Sequence, residues 1–247
     1  MADENDSKLV VLIGGVTGGI GRALAERMRE AGHQVVGFAR KEKAVDGVEV
    51  HECDATKPAE LNAVFEQVHE KYGRIDAYVH AIGSIYLKPA HQMTDEAWAE
   101  VIDVNLNSAF YALRAATKLM QQQDSGRILF FSTAAAHAGI ANHEAIAAAK
   151  GGLEGMVRAA AAGYAHRGIR VNAIAPSLTD TPLSKPITGN QQALEISRKM
   201  HPLGRIAEAR EVAGLAAWLL SEDAGFVTGQ VYLMDGGLST IVPKPKV

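Results

Sequence analysis

One cysteine, Cys53, is the whole thiol content of a 247-residue chain. A lone thiol closes no internal disulfide, which fits a reducing compartment. No Cys–His cluster has metal-ligand spacing, so no metal site is expected. Neither sign of charge dominates: 25 Lys and Arg stand against 28 Asp and Glu, for a formal net charge of -3. That balance leaves no basic footprint for a nucleic acid. No stretch of 18 or more mainly apolar residues occurs, and Met1–Lys8 is acidic and polar, so neither a membrane span nor a secretory signal is expected. The Gly-x-Ser-x-Gly elbow, the commonest cue for an α/β-hydrolase, is missing too. What remains is the composition of an ordinary cytoplasmic globular protein, 47% hydrophobic and 21% charged, long enough to bury a large core.

Short apolar runs alternate with longer segments of helical period. The expected strands are Leu9–Ile13, Gln34–Ala39, Val48–Glu52, Ile75–Ala81, Arg127–Ser132, Ile169–Ala175 and Gln230–Met234. Helices are expected around Ile20–Ala31, Pro58–Tyr72, Asp95–Gln123, Glu144–His166 and Glu208–Ser221. This alternation predicts an α/β chain with a doubly wound parallel sheet of about seven strands, covered by helices on both faces. No linker or repeat divides it, so residues 8–240 are expected to form one domain, with mobile tails at 1–7 and 241–247. The stretch 183–205 lacks a clear strand and is expected to act as a substrate lid.

The first expected strand runs into Gly14-Gly15-Val16-Thr17-Gly18-Gly19-Ile20-Gly21 and then directly into a helix. Glycines let the backbone turn tightly and approach a diphosphate, and the helix N-terminus offers free N–H groups and partial positive charge. The pattern predicts a Rossmann-type dinucleotide site using Gly15, Thr17, Gly19, Ile20 and Gly21. The second strand ends at Arg40 and Lys41, where an acidic residue would hold a ribose hydroxyl; none is present. A guanidinium there pairs with a 2′-phosphate in forked geometry, so NADP(H) is expected over NAD(H).

Further motifs follow in a fixed order. They are Asp54 and Ala55 in Cys53-Asp54-Ala55-Thr56, His80-Ala81-Ile82-Gly83, Asn105 in Val104-Asn105-Leu106, and Ile174-Ala175-Pro176-Ser177-Leu178-Thr179-Asp180-Thr181. Pro202-Leu203-Gly204-Arg205 and Thr228-Gly229-Gln230, with Asp235-Gly236-Gly237, complete the series. From Lys8 to about Leu238 the chain resembles the short-chain dehydrogenase/reductase family. The resemblance implies adenine contacts at Asp54 and Ala55, dinucleotide contacts at Ala81 and Gly83, and a nicotinamide-side loop with Pro176, Thr179 and Thr181. It also implies a relay asparagine at Asn105, and a dimer or tetramer packed through the alanine-rich helix Glu144–His166.

The family's usual proton donor is a Tyr four residues before a Lys, with a Ser thirteen before that Tyr. The Lys is Lys150 here, the Tyr position holds Ile146, and the Ser position holds Thr133. An aliphatic side chain donates no proton, although hydride delivery to a carbonyl leaves an oxygen that needs one. Lys150 keeps a second implied role, bonding the nicotinamide ribose. The enoyl-reductase branch of the same family carries its Tyr seven residues before the Lys, and His143 stands there; Ser132–Lys150 resembles that branch without a gap. Histidine titrates near neutral pH and suits an acid. The catalytic candidates are therefore Lys150, Thr133, Asn105 and His143, with His137 as a lesser alternative donor and Glu144 as a residue that orients a histidine or merely suits a helix start. The expected activity is reduction of a carbonyl or activated C=C bond in a small or acyl-carried substrate. The competing reading is a catalytically silent NADP(H)-binding regulatory or partner subunit.

Overall fold

A computed structural model describes residues 8–41 and 43–242. Residues 1–7 and 243–247, for which mobile tails are expected, lie outside the described residues; Ile241 and Val242 lie within them and are exposed. In chain order the main elements are β1 (Val10–Gly14), α1 (Gly19–Glu30), β2 (Gln34–Ala39), β3 (Glu49–Glu52), α2 (Pro58–Tyr72), β4 (Ala77–His80), α3 (Asp95–Ile102), α4 (Ser108–Gln123), β5 (Gly126–Phe131) and α5 (Glu144–Tyr164). They continue with β6 (Ile169–Pro176), β7 (Thr179–Asp180), α6 (Lys185–Thr188), α7 (Gln191–Met200), β8 (Ala207–Glu208), α8 (Ala209–Leu220) and β9 (Val231–Met234). Seven strands form one sheet in the order β3-β2-β1-β4-β5-β6-β9, every neighbouring pair parallel. This is the α/β Rossmann architecture expected from the alternation of apolar runs.

Successive side chains of a strand point to opposite faces, and the strands are apolar on both. Val10 and Leu12 of β1 join a core with α2, α4 and α5, through residues such as Phe65, Met120 and Val157. Val11 and Ile13 join the opposite core with α1 and α8, through Leu24, Met28, Val212 and Leu219. Local chemistry ends the helices where the sheet needs them to end. Pro58 opens α2, where its missing N–H costs nothing, and Gly73 closes it in the left-handed region at φ 76°.

The chain leaves β1 toward β2 and β3, then returns to place β4 on the other side of β1. At that reversal neighbouring crossovers diverge and leave a crevice beyond the carboxyl ends of β1 and β4. The expected continuous helix Asp95–Gln123 is interrupted by a π-helical turn at Asp103–Asn107. Side chains compete for the helix carbonyls there: Asn105 Nδ2 donates to Val101 O (2.9 Å) and Ser108 Oγ to Val104 O (2.7 Å). A two-residue ladder, β7 with β8, ties together the start and end of the excursion that carries α6 and α7. As expected, no strand lies within 183–205.

Candidate active site

The β1–α1 turn has the shape a diphosphate requires. Gly15 adopts φ +77°, and a Cβ there would sit 2.5 Å from the Ala81 carbonyl oxygen. A Cβ on Gly21 would run into the carbonyl oxygen of Gly15. The N-cap of α1, Gly18, offers no side chain to its first turn, so the N–H groups of that turn have no side-chain cap. Thr17 and Ile20 flank these glycines, and Gly19 faces Thr181 and Pro182. Arg40 and Lys41 follow β2 and are exposed, while Asp54 and Ala55 follow β3 beside them. Burial opposes ionisation of Asp54, but hydrogen bonds from the Thr56 hydroxyl and backbone N–H outweigh it. With help from Lys57 and Arg40, they hold the carboxyl below its usual range. These residues fit a dinucleotide laid across the sheet's carboxyl edge.

Beyond that edge lies a cavity of about 400 Å³, into which Ile20, Ala81, Gly83, Asn105, Thr133, His143, Ile146, Lys150, Pro176, Thr179 and Thr181 all face. His143, Ile146 and Lys150 lie three, four and seven residues apart, which puts them on one side of the start of α5. Ile146 is only 8% exposed and occupies the wall one turn before Lys150. The Lys150 ammonium donates to Phe131 O at 2.8 Å, at the end of β5, and burial pushes its pKa down to about 8. Thr133 caps the short turn after β5, accepting from Ala135 N at 3.3 Å, so its own proton remains available to a ligand. His143 Nδ1 lies 2.8 Å from Ala141 O; a carbonyl accepts only, so Nδ1–H donates this bond.

Several candidates are engaged by protein groups or lie away from the cavity. The Asn105 side chain is fully engaged, accepting from Ser84 N (3.0 Å) and donating to Ser84 Oγ and Val101 O. Thr179 turns its hydroxyl onto Ser177 O (3.0 Å). His137 does not face the cavity; its Nε2 lies 2.9 Å from the buried Glu154 carboxylate, which also accepts from Ser132 Oγ. Glu144 stands exposed in the first turn of α5. Gly15, Thr17, Gly19, Gly21, Arg40, Lys41, Asp54 and Ala55 lie outside the cavity wall, along the edge described above.

Two arrangements were not legible in the linear sequence. His80 is fully buried between Tyr78 Oη (2.7 Å) and Ser108 Oγ (3.1 Å), joining β4 to the π-helical turn. Burial, reinforced by the nearby Lys150 charge, pushes His80 down to about 3 and keeps it neutral. His201, at the end of α7, reaches Ser177 beyond β6. The signals available were a serine after Pro176 and a histidine before Pro202, but only the fold brings the two together.

A family model described as Enoyl-(Acyl carrier protein) reductase matches residues 15–239. The chain belongs to the short-chain dehydrogenase/reductase family. This member of the short-chain dehydrogenase/reductases is an NAD(P)(H)-dependent oxidoreductase. It is 30% identical over 237 residues to the Escherichia coli (strain K12) 3-oxoacyl-[acyl-carrier-protein] reductase FabG, covering 93% of this chain and 96% of that one. It is 34% identical over 228 residues to the Mycobacterium avium reductase MabA, of the same printed activity, with 92% and 89% covered. The Thermoplasma acidophilum aldohexose dehydrogenase, solved in ligand-free form, superposes with a TM-score of 0.91 at 29% identity over 98% of each chain. Among the described residues no helix is long and apolar enough to cross a membrane.

Proposed function

We propose that this short-chain dehydrogenase/reductase uses NADP(H) to reduce a carbonyl or activated C=C bond in a small or acyl-carried substrate, with His143 as proton donor in place of the family's tyrosine. The observation that carries the reading is that His143, the displaced tyrosine position Ile146 and Lys150 share one wall of a single cavity. Gly15, Thr17, Gly19, Ile20 and Gly21 hold the diphosphate, Arg40 and Lys41 the 2′-phosphate, Asp54 and Ala55 the adenine side. Ala81, Gly83, Pro176, Thr179, Thr181 and Lys150 hold the nicotinamide half. When bound, the nicotinamide supplies a hydride. Thr133 donates a hydrogen bond to the substrate oxygen, and His143 gives that oxygen a proton from Nε2 while Nδ1–H stays on Ala141 O. Partial exposure of His143 lets solvent restore the proton. Asn105 keeps the Ser84 loop and the π-helical turn in place beneath the reacting groups.

The reductase homologues support the reaction class, since their printed activities are reductions of 3-oxoacyl groups. NADPH oxidation against a panel of carbonyl and enoyl compounds tests the reading. His143→Ala is expected to lower kcat by about 100-fold or more, the usual contribution of a positioned acid, while His137→Ala stays within about threefold. Equal losses in both variants would remove His143 from the role. Tight NADPH binding without turnover across the panel would instead support a silent regulatory or partner subunit, the outcome that Ile146 at the tyrosine position favours.

A further inference from the structure

The cavity lining carries a pair of side chains that the proton transfer does not use. His201 is 4% exposed and sits between two oxygens: Nδ1 is 2.6 Å from Ser197 O and Nε2 is 2.8 Å from Ser177 Oγ. The Ser197 carbonyl only accepts, so Nδ1 carries the proton of the neutral ring. Nε2 then offers a lone pair, and the one group placed to satisfy it is the Ser177 hydroxyl. A serine hydroxyl has a single proton. With that proton committed to His201, Ser177 Oγ turns only lone pairs toward the cavity, which both residues line.

The same cavity is lined by groups of the reverse polarity, the available Thr133 proton and the Lys150 ammonium. Much of the remaining lining is apolar, from side chains including Ile82, Ile140, Leu178, Ile187 and Met200. Among the described residues lining the cavity there is no carboxylate and no arginine. A ligand that satisfies both sets of groups carries both an acceptor and a donor.

We propose that Ser177, held as an acceptor by His201, is a specificity subsite that selects a mainly apolar carbonyl substrate bearing a hydroxyl or N–H donor that reaches Ser177 Oγ. The proposal rests on the carbonyl-reducing reading above for the orientation of the substrate. A methyl group in place of the donor leaves the Ser177 lone pairs unpaired, and a carboxylate sets lone pair against negative charge.

Three ketones of nearly equal shape separate these cases: 2-hydroxyacetophenone (CH2OH), propiophenone (CH2CH3) and phenylglyoxylate (COO−). Their affinities are measured by calorimetry at about pH 8 on the NADP+-saturated protein, so turnover is not needed. 2-Hydroxyacetophenone is expected to bind about tenfold tighter than propiophenone; phenylglyoxylate, whose carboxylate is also drawn to the Lys150 ammonium, is compared between the wild type and His201→Phe. Ser177→Gly, which removes the hydroxyl, should bring the first two within about threefold. His201→Phe releases the Ser177 proton and should narrow or reverse the gap to phenylglyoxylate. Long-range 15N–1H correlation of the imidazoles should show His201 protonated at Nδ1. A proton on His201 Nε2, the same order of affinities in all three proteins, or no binding of any ketone would overturn the proposal. Binding in the expected order without any NADPH turnover would overturn the proposed function and leave the subsite standing.

Discussion

Lys150 makes stability a reporter of its own environment. Its ammonium lies 5% exposed with the Phe131 carbonyl as its hydrogen-bond acceptor, and burial lowers its pKa from 10.5 to about 8. That depression corresponds to roughly 3 kcal/mol of destabilisation, fully present where the ammonium is charged in both folded and unfolded chains, below about pH 8. Between about pH 8 and 10.5 the unfolded chain binds more protons than the folded one, so stability rises with pH across that window. Most of the penalty is relieved by about pH 10, leaving roughly 1 kcal/mol. Lys150→Met keeps the length of the side chain and removes the titration. Urea unfolding of both proteins, followed by circular dichroism without added dinucleotide from about pH 7 to 10, isolates the effect because all other groups titrate alike. The stability of the wild-type chain relative to Lys150→Met should climb by about 2–3 kcal/mol over that range. A difference that stays constant within about 0.5 kcal/mol would show that the buried ammonium is solvated or paired, and the reasoning would fail.

Ile146→Tyr restores a phenol one turn before Lys150, inside the cavity; carbonyl reduction should rise by about 100-fold in kcat, and an unchanged rate would show that the neighbouring groups are not set for it. If Arg40 pairs with the 2′-phosphate as proposed, Arg40→Ala should cut the NADPH-over-NADH affinity ratio by about tenfold or more in a fluorescence titration; an unchanged ratio would assign the preference elsewhere. Gly21→Ala drives a Cβ into the Gly15 carbonyl and should cost about 1–3 kcal/mol in thermal unfolding and at least about tenfold in NADPH affinity. Native stability with full affinity would mean that the loop relaxes freely.

Nearly all of the sheet is legible in the sequence. Each strand buries alternate residues on two faces, so Leu9–Ile13, Gln34–Ala39 and Ile169–Ala175 read as apolar runs with no help from distant contacts, and the strands form at Val10–Gly14, Gln34–Ala39 and Ile169–Pro176. The helix Asp95–Gln123 was legible as one unit because its apolar period continues through Asp103–Asn107. The π-helical turn depends on Ser84 and the Val101 and Val104 carbonyls, which a local pattern does not reveal. The pairing of β7 with β8 escaped for a similar reason: two residues are too few to show a period of two.

By itself the sequence determined the parallel architecture, the glycine-rich turn after β1, and an aliphatic residue at position 146. Each is a local property, decided by side-chain period, the missing Cβ or the identity of one residue. The tertiary structure alone decided which of the nine histidines meets which partner. His143 opens onto the cavity, His137 turns to Glu154, His80 is sealed against Tyr78 and Ser108, and His201 orients Ser177. An imidazole either gives or takes a proton according to what each nitrogen touches, and these contacts join residues as far as 28 positions apart.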